Sequence, residues 1–146
     1  MSGAISVKIK KIRDNAILPS YAHLGDAGMD VFSVVEKEIL PGEVALIPIG
    51  FAVEIPDGYE IQIRPKSGLA LKYGITILNT PGTIDSGYRG EIGAIVINHG
   101  KTVFHVMEGM KIAQMVLCKY ETVHFIESSA LAESERNDGG FGSTGV

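Results

Sequence analysis

The sequence is short of most features that announce a class of protein. It holds one cysteine, Cys118, in 146 residues, which excludes an internal disulfide framework and a cysteine-rich zinc cage. A reducing, cytoplasmic setting is the expectation. Positive charge is not in excess. The formal net charge is −4, and the one cationic cluster, Lys8, Lys10 and Lys11, alternates with Ile9 and Ile12 as a solvated strand face would. No nucleic-acid partner is expected from such a balance. Long hydrophobic runs are missing too. The longest apolar tract, Val44 to Ile55, is broken by Pro48, Gly50 and Glu54 and is too short to cross a bilayer. Charges interrupt the chain from Lys8 onward, so no apolar signal core is read at the start and no membrane partner is expected. The four histidines, His23, His99, His105 and His124, show no paired metal spacing.

Sustained apolar spacing at the helical period is also lacking, and what replaces it is strand signal. Ile5, Val7 and Ile9 alternate with Ser6, Lys8 and Lys10, and Tyr59, Ile61 and Ile63 alternate with Glu60, Gln62 and Arg64. Short apolar runs at Asp30–Ser33, Glu38–Leu40, Val44–Ile49, Phe51–Ile55, Gly74–Leu78, Ile92–Asn98, Thr102–Val106 and Lys111–Leu117 are separated by turn residues such as Pro41-Gly42 and Pro56-Asp57-Gly58. Arg13 to Gly28 reads as loop, and Lys66 to Tyr73 leaves room for a turn or two of helix. Many short strands with frequent turns predict an all-β fold, a sandwich or barrel and most readily a jelly roll. The body is predicted over 1–126. Residues 127–146 are polar, acidic and then glycine-rich, a composition that forms no core and predicts a flexible arm. A lone Phe141 among Gly139, Gly140, Gly142 and Gly145, with Ser143 and Thr144, is nonetheless suited to cover a flat base and wrap phosphate oxygens.

The stretch Gly82 to Ile92 carries the best candidate chemistry. Asp85 follows a short apolar run and stands three residues before Tyr88, and the turn then enters the apolar strand Ile92–Asn98. Taken alone, Asp-Ser-Gly reads first as ordinary turn chemistry; an acid beside an aromatic ring on a hairpin bordered by core is also a place where a base and a substrate wall could share one site. Lys66-Ser67-Gly68 offers a cation, a hydroxyl and unobstructed backbone, or simply a serine cap on a short helix. Asp26 and Asp30 flank Ala27-Gly28-Met29 at a spacing that reaches a hydrated metal ion or finishes a turn. Gln114 is a polar residue inside an apolar strand, toward a ligand or toward solvent. Gly100-Lys101-Thr102 imitates the end of a P-loop, but Ile95 stands where the first glycine is required and the segment lies between strands.

In order, Asp26–Asp30, Pro65–Ala70, Asn79–Gly90, Gly109–Met115 and the arm Arg136–Gly145 resemble the motifs of the trimeric dUTP diphosphatases, the dUTPases. The resemblance runs from Asp26 to the end of the chain. It implies a β jelly roll assembled as a homotrimer, with sites at subunit interfaces and each arm closing over one of them. It implies Asp85 as the base for a water attacking the α-phosphorus of dUTP, giving dUMP and pyrophosphate, and Asp30 as the holder, through water, of a Mg²⁺ ion. Lys66, Ser67, Gly68 and Gln114 would contact the phosphate chain. Arg136, Gly142, Ser143 and Thr144 would close on its distal end. Asn79 with the hairpin residues Gly82, Thr83 and Ile84 would read uracil, Tyr88 would pack beneath the deoxyribose, and Phe141 would stack on the base. One departure stands out: Lys66 occupies a position where the family usually has arginine, replacing a two-pronged fork by a point charge. A similar family, the dCTP deaminases, would need a glutamate at the hairpin and a denser arginine set. A zinc deaminase is excluded by the lone Cys118, and Asp85, Tyr88 and Phe141 together argue against a non-catalytic scaffold.

Overall fold

The computed structural model describes residues 3–145; Met1 and Ser2 of the expected body and Val146 of the expected arm lie outside them. In chain order the strands are β1 (Lys8–Lys11), β2 (Ser20–Tyr21), β3 (Met29–Phe32), β4 (Lys37–Ile39), β5 (Val44–Pro48) and β6 (Phe51–Glu54). They continue with β7 (Tyr59–Arg64), β8 (Ile75–Ile77), β9 (Gly82–Ile84), β10 (Gly93–Asn98), β11 (Phe104–Val106) and β12 (Lys111–Lys119), and the helix α1 (Ser67–Tyr73) lies between β7 and β8. A five-stranded sheet runs β2-β3-β12-β7-β9 and a three-stranded sheet runs β5-β10-β8, with the pairs β1-β6 and β11-β4 completing the layers. Every pairing is antiparallel. The architecture is an all-β jelly roll.

Alternation explains the layers. In β7, Ile61 and Ile63 are buried while their neighbours are half-exposed, and β10 buries Ala94, Val96 and Asn98 in the same rhythm. Ile39, Ile47, Ile49, Ile61, Ile92, Val31 and Val96 are fully buried around Phe51, a β-branched core suited to pleated sheets. Truncating Phe51 to alanine there costs about 3–5 kcal/mol. Asn98, fully buried, is satisfied throughout. Its Nδ2 donates to the Ile39 and Thr102 carbonyls at 2.8 and 2.9 Å, and its Oδ1 accepts from Gly100 N at 2.8 Å. Gly100-Lys101-Thr102 is thus a turn held by Asn98, not a phosphate loop.

Three local expectations need correction. The N-terminal strand begins at Lys8, and Ile5 and Ile9 are exposed while only Val7 packs on the core. β1 pairs with β6 alone, and Ile5 and Ile9 line an open apolar cavity with Leu18, Met29 and Leu117 instead of closing onto the core. The segment Arg13–Gly28 is not all loop, since Ser20 and Tyr21 pair with Asp30 and Met29. The helix is capped at Lys66, without a side-chain hydrogen bond, so Ser67 is its first helical residue and not its cap. Gly74 ends it in the left-handed conformation, φ 69°. Gly50 is obligatory as well: φ is 83°, and an added Cβ would lie 2.7 Å from Ala16 Cβ. Among the described residues no helix is long and apolar enough to cross a membrane. After β12, Tyr120 N still donates to Gly58 O, but 121–138 are exposed throughout, including Phe125 at 86% and Leu131 at 90%.

Candidate active site

β9 lies at the edge of the five-stranded sheet, with Gly82, Thr83 and Ile84 in register with Ile63, Gln62 and Ile61. Asp85 follows at once, and its carbonyl accepts from Tyr88 N at 3.1 Å to close the turn. The hairpin then fixes its own aromatic. Tyr88 Oη donates to the Glu91 carbonyl at 3.0 Å, and the ring lies over Gly90, where an added Cβ would collide with Oη. Arg89 folds back to donate to the Ser86 carbonyl at 2.5 Å. From 78 residues away, Arg13 grips the Glu91 carboxylate with two hydrogen bonds of 2.6 and 3.1 Å. These contacts leave Asp85 exposed, with no hydrogen bond or ion pair to its carboxylate among the described residues.

Asp85 and Tyr88 stand on the rim of a cavity of about 300 Å³. Asn79, Gly82, Thr83 and Ile84 line it, and Leu46 and Pro48 of β5, Gly93 and Ile95 of β10, and Ile92 just before β10 make its apolar wall. An added Cβ on Gly82 would come within 3.3 Å of Asn79 Nδ2, so the glycine is what lets that amide approach the strand. The predicted base, sugar wall and base-reading residues therefore share one cleft beside the edge strand β9.

A second cavity, about 310 Å³, is lined by Ala22, Asp26, Ala27, Gly28, Asp30, Lys66 and Gln114. Asp30, Gln114 and Arg64 form one cross-strand row over β3, β12 and β7. The intervening row, Val31, Ala113, Met115 and Ile63, is buried in the core, so this cavity opens on the outer face of the sheet. Gln114 does not turn to solvent: its Nε2 donates to the Pro65 carbonyl at 3.1 Å, and an added Cβ on Gly28 would strike its Oε1. Asp26 finishes a turn, accepting from His23 N at 2.8 Å. Arg64 is spent on Gln62 Oε1, at 2.8 and 3.1 Å, and on Cys118 Sγ at 3.7 Å, so it does not stand in for Lys66.

Asp30 is buried, and two lysines hold it. Lys66 Nζ contacts Oδ1, and Lys111 Nζ lies 2.8 Å from Oδ2. Burial alone pushes the carboxyl up, but the hydrogen bonds from Lys111 and Lys66 and their charges outweigh it and hold the pKa below the usual carboxylate range. Lys111 is the residue that reading the sequence missed. Strict alternation places Lys111 and Gln114 on opposite faces. Here the register shifts between Lys111 and Ala113, so Ile112 and Ala113 both face the core and Lys111 joins Asp30 and Gln114 on the outer face. The adjacent apolar pair Ile112-Ala113, out of step with its strand, is the signal that could have revealed it.

The fit to a divalent cation is specific in kind. Among the described residues no group of three or more His, Cys, Asp or Glu could cage a metal, and both Asp30 oxygens face ammonium groups. Two hard carboxylates, Asp26 and Asp30, line this cavity, and so few protein oxygens suit Mg²⁺ carried on phosphate oxygens and water, since this ion keeps its waters and needs few protein ligands.

Ser67 and Gly68 lie exposed on the first turn of α1 and line neither cavity. The arm stands apart as well. Arg136 Nε donates to the Gly139 carbonyl at 2.6 Å, Ser143 N donates to the Gly140 carbonyl at 3.0 Å, and Phe141 is fully exposed. Arg136, Phe141, Gly142, Ser143 and Thr144 line neither cavity. Across the sheet, β3 and β9 are separated by β12 and β7, three strand spacings or about 14 Å.

A jelly roll with a free carboxylate at the mouth of an apolar cleft, and a lysine-bound carboxylate on its outer face, is built as a hydrolase of phosphorylated ligands. The dUTPase family model matches residues 14–145. A deoxyuridine 5'-triphosphate nucleotidohydrolase of Alkaliphilus metalliredigens is 60% identical over 141 residues, covering 97% of this chain and 98% of that one. Its counterpart in Clostridium tetani is 59% identical over 140 residues, covering 96% and 97%. Among solved structures, a dUTPase of Staphylococcus bacteriophage 80alpha with dUpNHpp superposes with a TM-score of 0.91 at 28% identity, covering 98% of this chain and 100% of that one. A mutant dUTPase from phage phi11 of S. aureus, whose structure shows the coordination of a structural Mg(II) ion, has a TM-score of 0.81 at 26% identity, over 86% and 98%. The chain belongs to the dUTPase family.

Proposed function

We propose that the chain hydrolyses dUTP to dUMP and pyrophosphate by water attack on the α-phosphorus. The observation that carries this reading is the Asp85 carboxylate, free of protein partners among the described residues, on the rim of a cleft that also presents Asn79 and Tyr88. Asp85 accepts the proton of the attacking water, a task that needs an ionised carboxylate not committed to an ion pair. The Asn79 amide and the backbone of Gly82, Thr83 and Ile84 offer the donors and acceptors that tell uracil from cytosine. Tyr88, pinned by Glu91 O and Gly90, lies beneath the deoxyribose and excludes a 2′-hydroxyl sterically.

A triphosphate brings about four negative charges, and a chain of net −4 cannot steer it by its overall field; local cations must receive it. Lys66 and Gln114 hold the phosphate chain from the outer-face cavity, and Ser67 and Gly68 meet it from the exposed first turn of α1. Asp30 would hold Mg²⁺ through water, and the ion would neutralise charge on the phosphates. The working form is a homotrimer. Within one chain the two cavities open on different sides of a sheet and the arm reaches neither, so each site is completed between subunits. Residues 127–146 act as an arm that brings Arg136, Gly142, Ser143 and Thr144 to the distal phosphates and Phe141 onto the base. In the cytoplasm the reaction keeps uracil out of DNA and supplies dUMP for thymidylate synthesis.

The test is pyrophosphate release with Mg²⁺ from dUTP, dCTP, dTTP and UTP, with the base identified in each product. Release from dUTP alone is expected. Conversion of dCTP to dUTP with silence on dUTP would replace the reading by a deaminase.

A further inference from the structure

We propose that Lys111 is a positioning residue for the metal-facing carboxylate: it keeps Asp30 aimed when Lys66 leaves it for the phosphate chain. The inference rests on the functional reading above. Lys66 sits between two claims, since it contacts Asp30 Oδ1 and also lines the outer-face cavity assigned to the phosphates. A triphosphate outbids a single carboxylate for a mobile ammonium, because lysine is a compact charge on a flexible stem. Asp30 then depends on its second partner. Lys111 Nζ lies 2.8 Å from Oδ2, the other oxygen, and its side chain is 52% exposed against 11% for Asp30.

The backbone explains why this lysine stays. The register shift at Ile112 turns Lys111 onto the Asp30 face, and Lys111 pairs with Phe32, two residues along β3 from Asp30. It does not line the outer-face cavity, and it meets the carboxylate on the oxygen that Lys66 does not hold. One oxygen would thereby stay fixed to the scaffold, and the other would be free to hold a metal ion through water. Losing a support of this kind around a metal-facing ligand typically costs about 10- to 100-fold in metal affinity.

The experiment is calorimetric titration of the full chain with dUpNHpp over a range of Mg²⁺ concentrations, and with dUMP as a ligand that lacks the phosphate chain. Lys111→Met, which keeps the stem and removes the charge, and Lys111→Gln are run in parallel. We expect the apparent Mg²⁺ affinity in the dUpNHpp complex to fall about 10- to 100-fold in both, with dUMP binding unchanged and with Lys111→Arg restoring most of the loss. In an Asp30→Asn background, Lys111→Met should add nothing, because the lysine acts through that carboxylate. Unchanged Mg²⁺ dependence in Lys111→Met, or additive losses in the double variant, would overturn the proposal. So would parallel loss of dUMP binding and thermal stability in both variants, which would make Lys111 a structural brace. A wild-type chain that neither binds dUpNHpp nor hydrolyses dUTP would instead overturn the functional reading itself.

Discussion

Asp85 and Tyr88 owe their placement to neighbours that absorb every competing contact in the hairpin. Arg13 occupies Glu91, the other carboxylate on the cleft, and Arg89 turns back onto the Ser86 carbonyl, so Asp85 is the cleft carboxylate left without a partner among the described residues. Asp85→Asn should lower turnover about 10²–10⁴-fold while calorimetric binding of dUpNHpp survives; full turnover would remove Asp85 from the chemistry. Gly90→Ala should act on selectivity. Its Cβ would collide with Tyr88 Oη and lie 2.5 Å from Cζ, so the ring must shift and its hydroxyl must leave the Glu91 carbonyl. The preference for dUTP over UTP in kcat/KM should fall about tenfold, the scale of a modest steric discrimination. Tyr88→Phe, which keeps the ring, should change it less. Asp30 makes a pH prediction. Its folded pKa is held below the ordinary value, about 3.9, so its contribution to stability is complete above that value and is lost as pH falls through the folded pKa. The difference in melting temperature between the wild type and Asp30→Asn should be widest near neutrality and close progressively below about pH 4. A difference that persisted unchanged into acid would mean the lysines do not stabilise the carboxylate.

At the level of elements, what was legible in the sequence was periodic or local. The alternation in Tyr59–Arg64 is the burial pattern of β7, and the hairpin Gly82–Ile92 could be found because turn residues and a carboxylate stand within a few positions of one another. What escaped was set by register. The Asp30–Lys111 contact needs a bulge that breaks the period of two, and Arg13–Glu91 joins residues 78 apart, which no local pattern encodes. The serine cap failed for a related reason: helix α1 starts where Pro65 and the end of β7 allow it, one residue before the hydroxyl was expected to act. The arm makes the next prediction. Its internal contacts are local, from Ser134 and Asn137, which bond each other reciprocally at 2.9 Å, to Arg136 and Gly139, and 121–138 bury nothing against the body. Deleting Arg136–Val146 should therefore leave the melting temperature within about 1–2 °C of wild type, as expected where no core contact is lost, and abolish turnover. A large drop in melting temperature would show that the segment is a structural strap.

At the scale of the whole molecule, the chain exposes more apolar surface than its core accounts for. Leu24, Leu71, Phe125, Ile126 and Leu131 are each more than 80% exposed, and the residues assigned to one reaction lie on an outer sheet face, in a cleft and on an arm. A symmetric assembly resolves both features, because a closed ring of identical chains covers such surface and juxtaposes different parts of neighbouring subunits. Light scattering should give three times the chain mass of 15.6 kDa, and the mass should persist on dilution. A stronger test asks whether hairpin and arm serve the same site from different chains. Asp85→Asn lacks the base but keeps the arm, and the Arg136–Val146 deletion lacks the arm but keeps the base. Each alone should be nearly inactive. Unfolded together in equal amounts and refolded, they should form mixed trimers in which a site works when its hairpin comes from the truncated chain and its arm from the other. Random assortment makes that about one site in four, so recovery of about a quarter of wild-type turnover is expected. No recovery, with mixed trimers verified by mass, would mean that hairpin and arm of one chain serve the same site, and that the interfaces hold the molecule together without sharing its chemistry.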